Sequence, residues 1–161
     1  RSQRLPVAAA VIAIARNNMR VIEVAKTLVL NPEGDLLLLT RSQTDPQRPG
    51  EPDYPGGWPE PGESPAEGAA RELHEEAGIT VQVDELKLLY AGTTAYQDRD
   101  MSVNRFLFAV RIDNEQMAMV RLSNEHDAFQ WLNPRNALEV FPHPFWGEGL
   151  RYVLEHKLLD I

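Results

Sequence analysis

Glu72, Glu75 and Glu76 lie within five consecutive residues, and the segment Ser64–Ala77 that holds them contains Arg71 but no lysine. Carboxylates of like charge three or four residues apart on a helix repel one another. A solvated acidic face normally interleaves lysines, so carboxylates gathered without them point to a bound hard cation. Mg²⁺ and Mn²⁺ prefer oxygen ligands and fit that description. The chemistry on offer is therefore that of divalent metal, with Glu72, Glu75 and Glu76 as ligands.

The element that must position these groups has clear ends. Ser64 is a good N-cap, Pro65 suits the first helical position, and Glu67 three residues on completes a capping box. Gly78 supplies a left-handed stop. At about 100° per residue, with Glu72 set at about 0°, Glu75 falls near −60° and Glu76 near +40°. The three carboxylates thus share one arc. Ala66, Ala70, Leu73 and Ala77 cluster near 130° and form a narrow apolar stripe that must face a sheet. Gly68 falls inside the carboxylate arc, at about −40°, where a missing side chain would leave room for a ligand. Just upstream, Pro55-Gly56-Gly57 permits close backbone approach, and a glycine carbonyl there can add an oxygen ligand.

Around this helix the chain reads as a mixed pattern. Val24–Leu30 and Asp35–Arg41 read as strands joined by the turn Asn31-Pro32-Glu33-Gly34, and Gln43–Pro59, rich in Pro, Gly and charge, as a loop. Strand-like segments follow at Val81–Leu86, Leu88–Tyr96, Ser102–Ile112 and Ala128–Leu132. Short helices are expected at Pro134–Glu139, capped by Asn133, and at Phe145–Lys157. Strands before and after one strong helix give an α/β (α+β) fold, a mixed sheet with helices on its faces. Residues 1–20 stand apart. Arg1 and Arg4 precede the apolar run Val7–Ala15, which reads as a surface-packed or dimer-forming helix, or as a short signal peptide ending in Ala13-Ile14-Ala15.

With 161 residues the chain suits one compact domain. The absence of cysteine excludes a disulfide framework, a thiolate zinc site and a cysteine nucleophile, and suits a reducing cytoplasm. No run of 18 apolar residues is available to span a membrane. A formal charge of −8 argues against a nucleic acid duplex bound through a basic surface. It leaves open a small polyanion attracted through metal ions.

Gly57 to Ile79 resembles the Nudix box, G-x5-E-x7-R-E-U-x-E-E-x-G-U with U a bulky aliphatic residue. Gly57, Glu63, Arg71, Glu72, Leu73, Glu75, Glu76, Gly78 and Ile79 fill its specified positions. The resemblance implies an α/β/α sandwich with a mixed β-sheet over residues 21–161. It also implies metal-dependent hydrolysis of a nucleoside diphosphate linked to another group, X, with Mg²⁺ or Mn²⁺ as cofactor. It further implies that Glu72, Glu75 and Glu76 bind the metals with the Gly56 carbonyl, that Glu72 or Glu76 acts as base, and that Glu63 pairs with Arg71 in a structural role. Glu125, in Ser123-Asn124-Glu125-His126, is the candidate for an additional metal-binding carboxylate from a later loop.

Substrate identity is less legible. Arg41 and Arg48 are candidates to meet phosphates, Tyr96 lies where a dinucleoside polyphosphate branch tends to carry tyrosine, and Phe145 and Trp146 are placed to stack on a base or to anchor the last helix. A small nucleotide or diphosphate is the expected partner, with a homodimer through the apolar N-terminal segment as a second expectation. The rival readings are isoprenoid diphosphate isomerase, opposed by the missing cysteine, and a catalytically inactive Nudix module that senses a ligand, opposed by the complete set of box glutamates.

Overall fold

The computed structural model describes residues 19–141 and 143–160. Seven strands of these residues make one mixed sheet: β1 Arg20–Leu30, β2 Leu36–Arg41, β3 Pro52–Asp53, β4 Gly56–Gly57, β5 Lys87–Tyr96, β6 Met101–Arg111 and β7 His126–Leu132. The main path runs β3-β2-β1-β6-β5, with β4 against β1 and β7 against β2. The long β1–β6 pair is parallel, in register from Arg20↔Met101 to Leu30↔Arg111, and the other pairs are antiparallel. Helix α1, Pro65–Ala77, covers one face, while α3, Pro134–Val140, and α4, Pro144–Glu155, cover the other. A short α2 spans Asn114–Ala118. This is the α/β/α sandwich expected from the sequence.

Because both faces are covered, the central strands are apolar on both sides. In β1, Ala25 and Val29 pack towards α1, whereas Leu28 and Leu30 pack towards α3 and α4. β2 divides in the same way, with Leu37 and Leu39 on the α1 side and Leu36 and Leu38 opposite. α1 docks through Ala69, Leu73 and Ala77, each fully buried, with Ala66 and Ala70 at the margin. The one large apolar group among these is Leu73, whose burial contributes about 1.5–3 kcal/mol. The otherwise small-residue stripe lets α1 lie close to the sheet.

The ends of α1 are built as the sequence suggests. Ser64 accepts from the Glu67 N–H at 3.2 Å, Glu67 accepts from the Ser64 N–H at 2.7 Å, and Gly78 takes φ 70°. Ser64→Ala is expected to cost about 1 kcal/mol, or a fall of about 2–4 °C in melting temperature for a domain of this size. An unchanged melting temperature would show that the box adds nothing to the folded state.

Several expectations are corrected. Val81–Leu86 is not a strand. A 3-10 turn occupies Val83–Glu85, and the Glu85 carboxylate accepts from the Gln82 N–H at 2.6 Å, a local bond that competes with sheet pairing. Within the supposed loop Gln43–Pro59, two-residue strands β3 and β4 stitch Pro52–Asp53 to β2 and Gly56–Gly57 to β1. β1 begins at Arg20 rather than Val24, since the full-length pairing with β6 extends it. The last helix spans Pro144–Glu155 rather than Phe145–Lys157, and Lys157 has φ 55°. α2 was not anticipated, although Asp113 and Gln116 form a capping box legible in the sequence. Gly68 offers no ligand space: a Cβ there would lie 2.9 Å from the Pro59 Cα. The expected helix at Val7–Ala15 lies outside the described residues.

Candidate active site

The site is built on a backbone feature that only glycine permits. Gly56 and Gly57 lie opposite Lys26 and Ala25 of β1, and the Thr27 N–H donates to the Pro55 carbonyl at 2.8 Å. Gly56 adopts φ 132°, and a Cβ would fall 2.1 Å from the Ala25 carbonyl oxygen. With the chain held this tightly against β1, the Gly56 N–H points at α1 and donates to Glu76 Oε2 at 2.7 Å.

That contact fixes a carboxylate in an unusual setting. Glu76 is 5% exposed, and loss of hydration pushes its pKa up to about 7, against the pull of Lys26 and the Gly56 N–H. Glu72 is half-buried, and its carboxyl is also raised, chiefly by desolvation. Glu75 is the exposed member. Arg71 ties the set together. Its Nε donates to Glu63 Oε1 at 2.9 Å, its Nη1 to Glu72 at 3.2 Å and Glu75 at 3.1 Å, and its Nη2 to the Trp58 carbonyl at 3.1 Å.

A cationic cluster faces the glutamates. Asp53, fully buried, accepts from Lys26 Nζ at 3.0 Å and from Arg41, with an Arg48 nitrogen at 3.9 Å. Burial opposes ionisation of Asp53, but Lys26, Arg41 and Arg48 together outweigh it and hold its carboxyl below the usual carboxylate range. Lys26 Nζ also donates to the Gly56 carbonyl. His126, buried beside this network, has both ring nitrogens without a partner, and desolvation brings its pKa down to about 4, so it is neutral at pH 7.

Glu72, Glu75, Glu76, Glu125, Gly56 and Arg41 all open on a single cleft of about 400 Å³, together with Lys26 and Arg48. Tyr96 and Phe145 are elsewhere. They line a hollow of about 300 Å³ with Thr94, Arg105, His143 and Glu148. The sheet register joins the two. Arg105 lies opposite Val24, a wall of the cleft, on one side and Gly92 on the other. A Cβ on Gly92 would meet the Phe145 ring at 3.0 Å, so this glycine lets the ring settle over β5. The Arg105 guanidinium stands 5.3 Å from the centre of that ring and donates to Thr94 Oγ1 at 3.0 Å and to the Tyr96 hydroxyl at 3.1 Å. Trp146 is buried among Phe141, Leu150 and their neighbours, in an anchoring position.

Lys26, Asp53 and Arg105 were missed by the sequence reading. Lys26 and Arg105 carried a signal, since each is a charge within an apolar strand, Val24-Ala25-Lys26-Thr27-Leu28 and Val103-Asn104-Arg105-Phe106-Leu107. Asp53 carried none, being one of several acids in a loop-like stretch.

The donors in the cleft are the hard oxygens that a divalent cation takes, and Glu76 is a deeply buried carboxylate that accepts from the Gly56 N–H. Their chemistry fits such an ion. Their arrangement is held by protein cations, however. Among the described residues no group of three or more His, Cys, Asp or Glu side chains is gathered to hold a metal as it stands. Arg71 occupies Glu72 and Glu75, and Lys26 occupies the Gly56 carbonyl.

A cleft of box glutamates over a mixed sheet, roofed by α1, defines the class, and comparison with known proteins agrees. Residues 19–155 match the NUDIX domain, and the chain belongs to that family. It is 38% identical over 133 residues to an octanoyltransferase of Myxococcus xanthus, covering 83% of this chain and 35% of that protein. It is 36% identical over 64 residues to the 8-oxo-dGTP diphosphatase of Escherichia coli K12, covering 40% of this chain and 49% of that one. The chain therefore spans between a third and a half of the length of these curated relatives. Among solved structures, the MutT protein of Methanosarcina mazei Go1 superposes with a TM-score of 0.70 at 28% identity, over 87% of this chain and 98% of that one. Among the described residues, no helix is long and apolar enough to cross a membrane.

Proposed function

We propose that this domain is a Mg²⁺- or Mn²⁺-dependent hydrolase that cleaves the diphosphate linkage of a nucleoside diphosphate-X or nucleoside triphosphate. The observation that carries the reading is the shared cleft: Glu72, Glu75, Glu76, Glu125 and the Gly56 carbonyl line it together with Lys26, Arg41 and Arg48. Membership of the NUDIX family and the likeness to a diphosphatase support it.

Glu72, Glu75, Glu76 and Glu125 with the Gly56 carbonyl would hold the metal. A divalent ion bound there supplies positive charge against the diphosphate and makes water more acidic. Glu76, fixed through Oε2 by the Gly56 N–H, accepts the proton from the attacking water, with Glu72 as the second candidate base. The water oxygen bonds to phosphorus as the bridging P–O bond opposite it breaks. Arg41 and Arg48 neutralise charge on the departing phosphate. Arg71 holds the Glu63 loop and the carboxylates in place. The hollow between Tyr96 and Phe145 receives X, or the base, with the Arg105 fork as donor and the Phe145 ring as a stacking face.

Two variants test the assignment. Glu72→Gln and Glu76→Gln are each expected to lose most Mg²⁺-dependent turnover, and wild-type activity in both would refute the roles given to them. Arg105→Leu is expected to raise KM more than it lowers kcat, because Arg105 lies in the hollow rather than among the carboxylates.

A further inference from the structure

We propose that Lys26 is a protein-supplied cation at the metal-binding end of the cleft, and that it keeps divalent-metal loading below what the oxygen donors alone would take. The inference rests on the reading of the glutamate cleft as a metal site. Lys26 is an unusual residue for its place. β1 contributes Leu28 and Leu30 to the core on the same face, and the Lys26 side chain is only 5% exposed. An ammonium so placed needs partners that replace its lost hydration. Asp53 is one partner, at 3.0 Å, but it also serves Arg41 and Arg48. The other partner is the Gly56 carbonyl oxygen, at 2.5 Å.

Pairing of β1 with β4 puts Lys26 directly opposite Gly56, so the contact follows from sheet register rather than from a loosely placed side chain. Gly56 links the two groups, its N–H donating to Glu76 Oε2 at 2.7 Å and its carbonyl accepting from Lys26 Nζ. An ammonium bonded to the Gly56 carbonyl and close to Glu76 does two things to an arriving dication. It occupies one oxygen donor, and it repels the ion from the carboxylates beside that donor. Arg71 pairs with Glu72 and Glu75 from the helix, whereas at the Gly56–Glu76 end the cation is Lys26, which takes up the backbone oxygen itself.

The experiment measures Mn²⁺ binding to the metal-free chain at pH 7.5, without nucleotide, from the electron paramagnetic resonance of free Mn²⁺. Lys26→Met is expected to take up one additional Mn²⁺ per chain, or to bind the same number with a Kd about tenfold lower. Lys26→Gln removes the charge but keeps a donor for the Gly56 carbonyl, so it carries the test should the methionine variant fail to fold. Arg48→Gln removes one charge from the cleft without touching Gly56 and is expected to change Kd by less than threefold. Stoichiometry and Kd within threefold of wild type in the Lys26 variants would overturn the proposal. Weaker binding in those variants, or an equal gain from Arg48→Gln, would overturn it as well. If neither wild type nor variants bind Mn²⁺, the metal-site reading falls and this inference with it. If wild type binds and only the expected gain is missing, the inference alone falls.

Discussion

Glu76→Gln is expected to lower turnover by roughly 10³-fold, within the range that general acid–base catalysis supplies. The same change is expected to make the metal-free protein more stable at pH 8. Burial raises the folded-state pKa of Glu76 from the ordinary 4.5 to about 7. Between those values the folded chain holds a proton that the unfolded chain has released, so stability falls as pH rises through this window. Above about pH 7 the folded state carries the full cost of a buried, ionised carboxylate. The gap in pKa corresponds to about 3 kcal/mol. Glutamine imitates the protonated acid and can still accept from the Gly56 N–H, so it removes that cost. Calorimetry in the presence of chelator should show Glu76→Gln melting several degrees above wild type at pH 8, with the two converging near pH 4.5. A variant that melts below wild type at pH 8 would show that Glu76 is not held against its ionisation.

Gly56→Ala is expected to be the most damaging substitution of a single small group in the domain. At φ 132° an L side chain is strained, and the new Cβ would lie 2.1 Å from the Ala25 carbonyl and 2.8 Å from the Lys26 Cα. Both obstacles are backbone of the central strand, so relief requires β4 to leave β1. A loss above about 4 kcal/mol is expected, beyond the usual span of point mutations. Gly57→Ala provides the contrast. Its Cβ would meet Glu72 Oε1 at 2.7 Å, the far end of a side chain that can rotate away. That variant should melt within a few degrees of wild type while losing activity through a displaced Glu72. Melting curves separate the two cases, and a Gly56→Ala protein melting within about 2 °C of wild type would contradict the close packing of this turn.

The parts of the site that were legible in the sequence are those confined to one helix. Ser64, Glu67 and Gly78 fix the ends of α1, and periodicity then puts Glu72, Glu75 and Glu76 on one arc and Leu73 on another. Even there, periodicity did not reveal that Glu76 is nearly as buried as Leu73, because its burial comes from the Gly56 turn pressed against β1. What depends on pairing between distant strands was harder to see. Lys26 meets Gly56 only because β4 adds to β1, and Arg105 lies opposite Val24 of the cleft wall only because β6 runs parallel to β1 from Arg20 onward. Both residues break an apolar strand pattern, which marks them as exceptions without naming their partners. Val81–Leu86 failed for the opposite reason. Val81 and Leu86 are buried at the edge of the α1 core while Val83 is exposed, and the bond from the Gln82 N–H to the Glu85 carboxylate closes a turn where a strand pattern was read.

Hydrolysis of a diphosphate linkage with a divalent ion, in the cleft between α1 and β1, is the activity proposed for this domain. Its most direct test is chromatographic analysis of the products that the wild-type chain forms from a panel of nucleoside triphosphates, dinucleoside polyphosphates and nucleoside diphosphate conjugates, each incubated with Mg²⁺, with Mn²⁺ and with chelator. Metal-dependent cleavage of at least one of these, abolished by chelator, is the expected result. Tight binding of nucleotides with no cleavage of any under either metal would contradict the claim and assign the domain to ligand sensing.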